Sequence, residues 1–396
     1  MGNEFTRRNL FKVTGAGIMM APLLVKQALA QVPGQEDLEK VLFSGPGLSG
    51  GGQLEVRMVE KAEGSDPDVV EIARRMRPYD PESWYVEHKR MAEKNEELAA
   101  RFETERGRET ASEYYLRAVS FWRSALTYLP EKDPRTVPAY NRMKGNFDKA
   151  WKLVPPGFEK VEIPWEGKTL EGQFYPARAP QGKKAPVVFN FSGADGILIR
   201  GEGGAGQYRA RGISYLDMDG PGQGGTLRLK NIYAAPDSER YGKAVLDYLV
   251  SRPDVDPNRI GIHGSSMGGY SAPRCVIGDK RFKACAVRSG AYSLQQDLYD
   301  YYPPIQERIR WLIGAKDLKD ARAKMAEFTL EGRAQQIECP LLVGYSNDDR
   351  IMDPRGALKL YEKAVNAKRS MIEGTGHSGL KFELRSFVAD WFAKQL

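Results

Sequence analysis

Apolar positions are sparse and unpatterned through residues 31–80, where "FSGPGLSGGGQ" and a high density of Gly, Pro and charge predict an irregular arm. From Pro81 to about Val154 they recur at helical spacing: Trp84, Tyr85, His88 and Met91, then Tyr114, Leu116, Ala118, Trp122 and Leu126, then Tyr140, Phe147, Ala150 and Trp151. Amphipathic helices are predicted there, with breaks near "ERGRET" and "LPEKDPRTVP". His88 falls on the aromatic face of the first, where a packing or surface histidine is expected rather than a catalytic one. After "VPPG" the period shortens. "FEKVEIPWEG" and "KTLEGQFYPA" predict an antiparallel hairpin, and "APVVFNF", "GISYLDM", "RIGIHG", "KACAVRS", "PLLVGYS" and "RSMIEG" read as buried strands. Helical stretches such as "ERYGKAVLDYLVSR" and "PRGALKLYEKAV" lie between them. Apolar strands alternating with helices predict a mostly parallel sheet with helices on both faces, an α/β fold over 155–396, preceded by an α-helical domain over 81–154.

Composition narrows the function classes. A chain of 396 residues with 41% apolar and 28% charged residues suits one large globular domain plus an addition. "TRRNLFK", Thr6 to Lys12, sets paired arginines ahead of an apolar run from Val13 to Val25, and Ala28 to Ala30 supply small residues for cleavage before Gln31. Residues 1–30 thus resemble a bacterial twin-arginine signal peptide, which implies the twin-arginine export machinery as a partner and a periplasmic or secreted protein. Removing them lowers the formal charge from +7 to +4, since Arg7, Arg8, Lys12 and Lys26 leave with Glu4. The remaining basic residues alternate with acids, as in "EHKRMAEKNEELAARFETERGRE", which describes a solvated helix face and excludes a nucleic-acid track. Cys275, Cys285 and Cys339 show no C-x-x-C spacing, so neither a disulfide framework nor a metal site is expected; three small buried residues is the reading, with one disulfide left open. No cofactor is expected.

The stretch "GIHGSSMGGY", residues 261–270, carries the chemistry. A serine at a tight strand-to-helix turn has its Oγ exposed, and small residues two positions either side let the two chains pass. The window Gly264-Ser265-Ser266-Met267-Gly268 meets this requirement, with "RIGIH" as the strand and "MGGYSAPRCVIG" as the helix, so Ser266 is the candidate nucleophile and Ser265 its neighbour. A serine hydroxyl needs a base, and the base needs an acid to fix its tautomer. Of 3 histidines, His88 lies in the helical region, His263 within the strand beneath the turn, and His377 in "EGTGHSGL" between the last strand and last helix. His377 is the candidate base. "NDDRIMDP" offers the acid: Asp349 is favoured over Asp348, with Asp353 third. Backbone donors for an oxyanion are expected from Met267 and from Gly193 or Ala194 in "SGADG". Asp195 is a candidate pocket residue or a turn residue. "GEGGAG", Gly201 to Gly206, matches a dinucleotide fingerprint only formally, because it does not join a strand directly to a helix. "DMDGPGQGG", Asp217 to Gly225, reads as a structural loop beneath the site.

Together "DMDGPGQGG", "RIGIHGSSMGGYSAPR", "RFKACAVRSGAY", "NDDRIMDP", "GTGHSG" and the helical "PESWYVEHKRMAEKNEELAA" resemble the α/β-hydrolases related to 2,6-dihydroxypseudo-oxynicotine hydrolase, a group that also resembles fungal polyketide-shortening hydrolases and the fermentation-respiration switch esterase. The resemblance spans roughly residues 80–396. It implies a Ser266, Asp349, His377 triad in a cleft between the sheet and a helical cap, often in a dimer. Trp84, Tyr85, Tyr114, Tyr115 and Trp122 are then candidate pocket material. The expected activity is hydrolysis of a small or medium, aromatic or ketone-bearing carboxylic ester. The alternatives are cleavage of a carbon–carbon bond next to a ketone by the same residues, peptidase activity, and an inactive binding protein on the same scaffold.

Overall fold

The computed structural model describes residues 66–77, 80–155, 157–177, 183–199, 204–378 and 382–396. Residues 1–30 and most of the 31–80 segment lie outside them, as do Gly201 to Gly203 of the glycine-rich motif. Among the described residues, four α-helices precede the sheet: α1 (Pro67–Arg75), α2 (Pro81–Thr104), α3 (Arg108–Ala125) and α4 (Thr136–Leu153). Asp80 caps α2, its carboxylate accepting from the Glu82 and Ser83 amides ahead of a proline at the first turn. The buried face of α2 includes Trp84, His88, Met91, Asn95 and Ala99, at the three- and four-residue spacing of one helix stripe. His88 is a packing histidine: its ring stacks on Trp84 at 4.2 Å and its Nδ1 lies 2.8 Å from Trp84 O. Helix α1 departs from the irregular arm that the sequence pattern predicts. Asp66 caps it, and Arg117 of α3 pairs with Asp66 and Asp68, so distant charges hold a segment of which only Ile72 is buried.

Strands β1 (Glu159–Trp165) and β2 (Lys168–Tyr175) form the expected hairpin, closed at Glu166 and Gly167, both at positive φ as a tight two-residue turn requires. Then follow β3 (Ala185–Phe191), β4 (Ser214–Met218), β5 (Val255–Ser265), β6 (Phe282–Arg288), β7 (Leu341–Tyr345) and β8 (Arg369–Glu373). The 8-stranded sheet has the order β1-β2-β4-β3-β5-β6-β7-β8. It is antiparallel through β1, β2 and β4 and parallel from β4 to β8. The helices of this part include α5 (Ser238–Ser251), α6 (Gly268–Gly278), α7 (Gln306–Leu312), α8 (Pro354–Lys363) and α9 (Phe382–Gln395).

Alternate strand residues enter two different cores. Val187, Phe189, Ile260, Ile262, Cys285 and Val287 join the side chains of α5, α6 and α8, whereas Val188, Ala284, Ala286 and Leu342 face the opposite core with Phe392 of α9. That second core runs on without a break into Trp84, Trp122, Tyr140 and Phe147 of the helical region. The parallel strands therefore end on one edge of the sheet with both faces covered, where loops carry the candidate chemistry. Cys275 and Cys285 are buried, Cys339 is half-buried, and all are free thiols.

Candidate active site

Ser266 follows the last residue of β5 and precedes α6 at φ 57°, a left-handed conformation that costs a non-glycine residue about 1–3 kcal/mol and persists only where the surroundings impose it. The flanking sequence imposes it here. A Cβ on Gly264 would overlap the Gly268 carbonyl, and one on Gly268 would overlap Phe191 O of β3, so both positions need glycine for the chains to cross. The Ser266 amide is held by Arg288 O at 3.0 Å. Gly193 lies directly against the serine, since a Cβ there would stand 2.8 Å from Ser266 Cβ and 3.2 Å from its Oγ.

One residue past Arg288, Ser289 joins the other candidates. Its Oγ donates to Asp349 Oδ2 at 2.6 Å and accepts the Ser378 amide at 2.8 Å. His377 Nδ1 lies 3.0 Å and 3.1 Å from the two Asp349 oxygens. Asp349 Oδ1 also receives the amides of Ile351 and Met352, each at 2.9 Å. Burial, which leaves Asp349 2% exposed, works to raise its carboxyl, but the hydrogen bonds from His377, Ser289 and the backbone outweigh it and hold the group below the ordinary carboxylate value. The other two carboxylates of "NDDRIMDP" do different work. Asp348 accepts the Gly376 amide at 2.8 Å, tethering the His377 loop, and Asp353 caps α8 by accepting from the Arg355 amide.

His263 lies beneath the turn, as its place in the strand suggests, buried between Tyr208, whose hydroxyl is 3.1 Å from Nδ1, and Arg288, whose Nε donates to Nε2 at 3.1 Å. Burial, with the Arg288 charge, drives its pKa well down and keeps it neutral. Arg288 reaches on to Ser378 O at 3.3 Å, so β6 grips the His377 loop at Ser289 and through the guanidinium.

The segment after β3 is fixed by a side chain that sequence reasoning did not single out. Gln223, in "DMDGPGQGG", donates its amide hydrogens to Ser192 O at 2.7 Å and Gly193 O at 2.9 Å, while its Oε1 accepts the Gly220 amide at 3.1 Å. In a trans peptide the C=O and the following N–H point opposite ways. Holding those carbonyls toward Gln223 therefore turns the Gly193 and Ala194 amides away from it. Asp219 of the same loop is buried, accepting the Leu198 amide at 2.6 Å and the Gly225 amide at 2.8 Å, and burial pushes its carboxyl up to about 6. Tyr140 of α4 lies 3.5 Å from Asp219, so the helical region docks on this loop.

Two cavities border the segment Gly193–Asp195, the first at Gly193 and Ala194 and the second at Asp195. One, of about 350 Å³, is walled by Phe191, Trp165, Tyr233, Tyr241 and Met267. The other, of about 490 Å³, lies between the turn Thr127–Arg135 and the segment Pro304–Trp311, with Asp195 on its wall. Trp84, Tyr85, Tyr114 and Trp122 line neither. Their surroundings are internal to the helices: Trp84 Nε1 donates to Ser124 O at 2.7 Å, Tyr85 carries Arg135 on its ring, Tyr114 stacks on Phe102, and Trp122 Nε1 donates to Glu96 at 2.6 Å.

Comparison with known proteins bears on this geometry. Residues 242–396 match the model of the Prolyl oligopeptidase family. Over 329 residues the chain is 30% identical to Hydrolase LUC6 of a Fusarium species, covering 72% of this chain and 78% of LUC6. It is 34% identical over 236 residues to 20-hydroxy-prefusarin hydrolase FUS2 of Gibberella moniliformis, covering 56% of this chain and 55% of FUS2. It is also 34% identical over 246 residues to Alpha/beta hydrolase psoB of Aspergillus fumigatus, covering 57% of this chain and 54% of psoB, so it spans about half the length of these last two. The crystal structure of 2,6-dihydroxy-pseudo-oxynicotine hydrolase superposes with a TM-score of 0.71 at 23% identity, over 84% of this chain and 93% of that one. AbyA5 superposes at 0.67 and 16% identity, over 84% and 90%. At these identities the structures speak for the fold. The curated relatives are fungal proteins, which overturns the expected bacterial twin-arginine export and the periplasmic or secreted location drawn from it. A match to LUC6 across most of both chains, on a mostly parallel sheet with this fold, makes the chain a hydrolase that belongs to the α/β-hydrolase family.

Proposed function

We propose that the protein cleaves a carboxylic ester through an acyl-serine intermediate, with Ser266 as nucleophile, His377 as base and Asp349 as the acid that orients it. Two observations support this reading: a strained serine at a strand–helix turn, and a histidine bound to a buried, hydrogen-bonded carboxylate on the loops past β7 and β8. His377, whose Nδ1–H is held by Asp349, takes the Ser266 proton on Nε2 as Oγ bonds to the substrate carbonyl carbon. The carbonyl oxygen gains the negative charge and is received by the Met267 amide and by that of Ala194 or Gly193. Collapse re-forms the carbonyl and expels the alkoxide, which leaves with the His377 proton. Water then gives a proton to His377 and its hydroxyl to the acyl carbon, and Ser266 recovers its hydrogen as the acid departs.

The 350 Å³ cavity, lined by Gly193, Ala194 and Met267, is the site proposed for the group next to the reacting carbonyl, and the 490 Å³ cleft beyond Asp195 for the remainder of the substrate. The test is a screen of the purified protein against aryl esters, acyl esters of graded length and β-diketones. Ester turnover with a pre-steady-state burst of alcohol supports the reading. Turnover of diketones without esters would replace it by carbon–carbon bond hydrolysis with the same residues.

A further inference from the structure

Beneath the nucleophile turn lies a buried imidazole that the acyl-transfer steps leave unused. His263 stands three residues before Ser266 on β5, and its ring lies 6.5 Å from that of Phe392 in α9. A guanidinium Nε–H can only donate, so the 3.1 Å contact from Arg288 Nε fixes a lone pair on His263 Nε2. The ring proton then sits on Nδ1, which donates to the Tyr208 hydroxyl of the short helix Ala205–Arg209 at 3.1 Å. Burial, with the charges of Arg288 and Arg385, keeps the ring neutral. An imidazolium would turn a second N–H toward Arg288 and lose the contact.

Arg288, the last residue of β6, reaches both ends of the proposed proton path. Its carbonyl accepts the Ser266 amide at 3.0 Å, and its Nη1 donates to Ser378 O at 3.3 Å, one residue past His377. Ser378 stands at φ 59° and Ser289, which holds the Ser378 amide, at φ 49°; such left-handed conformations persist only where contacts impose them. The His377 loop is therefore shaped from β6, and the guanidinium shapes it only while it points one way. A free arginine side chain samples many rotamers, so an acceptor fixed on the neighbouring strand sets that direction. Resting on the assignment of His377 as base, we infer that His263 is a positioning residue: through Arg288 and Ser378 it sets where the His377 ring stands relative to Ser266.

The experiment is steady-state kinetics with one aryl ester on the wild type, His263→Leu, His263→Gln, Arg288→Met and the double variant His263→Leu/Arg288→Met, with rates counted per serine labelled to completion by a fluorophosphonate probe. His377→Ala serves as the control for the base. His263→Leu, similar in size and without an acceptor, should lower kcat about tenfold or more with KM within about threefold, and Arg288→Met should match it. His263→Gln, whose Oε1 can accept from Arg288, should recover most of the loss. The double variant should fall no further than either single one, because both break the same chain of contacts, whereas two separate packing defects would add. Wild-type kcat in Arg288→Met or His263→Leu, a His263→Gln as slow as His263→Leu, or additive losses in the double variant would overturn the inference; an inactive His377→Ala beside any of these leaves the base assignment standing. Should His263→Leu fail to fold, a slow Arg288→Met with a near-wild-type His263→Gln supports the inference and any other pairing overturns it. A His377→Ala protein as active as the wild type would remove the base assignment and the inference together.

Discussion

Ser289 shows how much of the site rests on residues with no catalytic motif of their own. Its hydroxyl is bonded to both Asp349 and the Ser378 amide, so Ser289→Ala should lower kcat about tenfold or more while binding of substrate changes little, because the carboxylate and the His377 loop lose a shared anchor. Steady-state kinetics with one aryl ester, beside a melting curve, decides this; an unchanged kcat would contradict it. Asp219 makes a different prediction. Its carboxyl, ordinarily near 3.8, is pushed up to about 6 in the folded protein, so between those values folding takes up a proton and stability falls as pH rises. The loss through that window is on the order of 2–3 kcal/mol, at about 1.4 kcal/mol per unit. Melting temperatures from pH 4 to 7 should fall more steeply for the wild type than for Asp219→Asn, and parallel curves would refute the assignment. Ser266, His377 and Asp349 were legible as candidates because glycine spacing, a short supply of histidines and the chain order of strand ends point to them. Ser289 and Gln223 were not, because the partners that tie them to the site lie from 30 to 89 residues away and only the sheet brings them together.

Gln223 links two loops at the next scale, tying the segment after β4 to the one after β3. Gln223→Leu would leave the Ser192 carbonyl without this donor and the Gly193 carbonyl with only the Gly196 amide, loosening the Ser192–Ala194 peptides. The expected result is a fall in kcat of about tenfold to a hundredfold with KM within about threefold, since the donors act on the charge that develops in the transition state. Equal losses in kcat and in folded fraction would reduce Gln223 to a packing residue. Among the helices, Trp84 is buried against His88 and Tyr128 and lines neither cavity itself. Trp84→Ala should therefore cost about 3–5 kcal/mol of stability without shifting the ratio of kcat/KM between two esters, and a shifted ratio would return the ring to the pocket. The helical period over 81–154 and the strand runs after "VPPG" were readable because each presents a repeating face to a core. Helix α1 was not: at 9 residues with one buried side chain it shows no period, and its stability comes from Asp66 at its start and Arg117 from α3.

At the scale of the molecule, one sheet with two covered faces brings the ends of β3, β5, β6, β7 and β8 to a single edge, and the helical region closes over it by sharing the second core. The α/β class followed from the order of runs in the sequence. The docking of the helices on the Asp219 loop did not, since it depends on contacts such as Tyr140 to Asp219 between segments of different period. The central claim is that this edge holds a nucleophilic serine at position 266. The direct measurement is intact-mass and peptide-mapping spectrometry after a fluorophosphonate probe, on the wild type, Ser266→Ala and Ser265→Ala. The account predicts one adduct, on Ser266, in the wild type and in Ser265→Ala, and none in Ser266→Ala despite an unchanged fold. An adduct on Ser265, or no adduct in the folded wild-type protein, would contradict it.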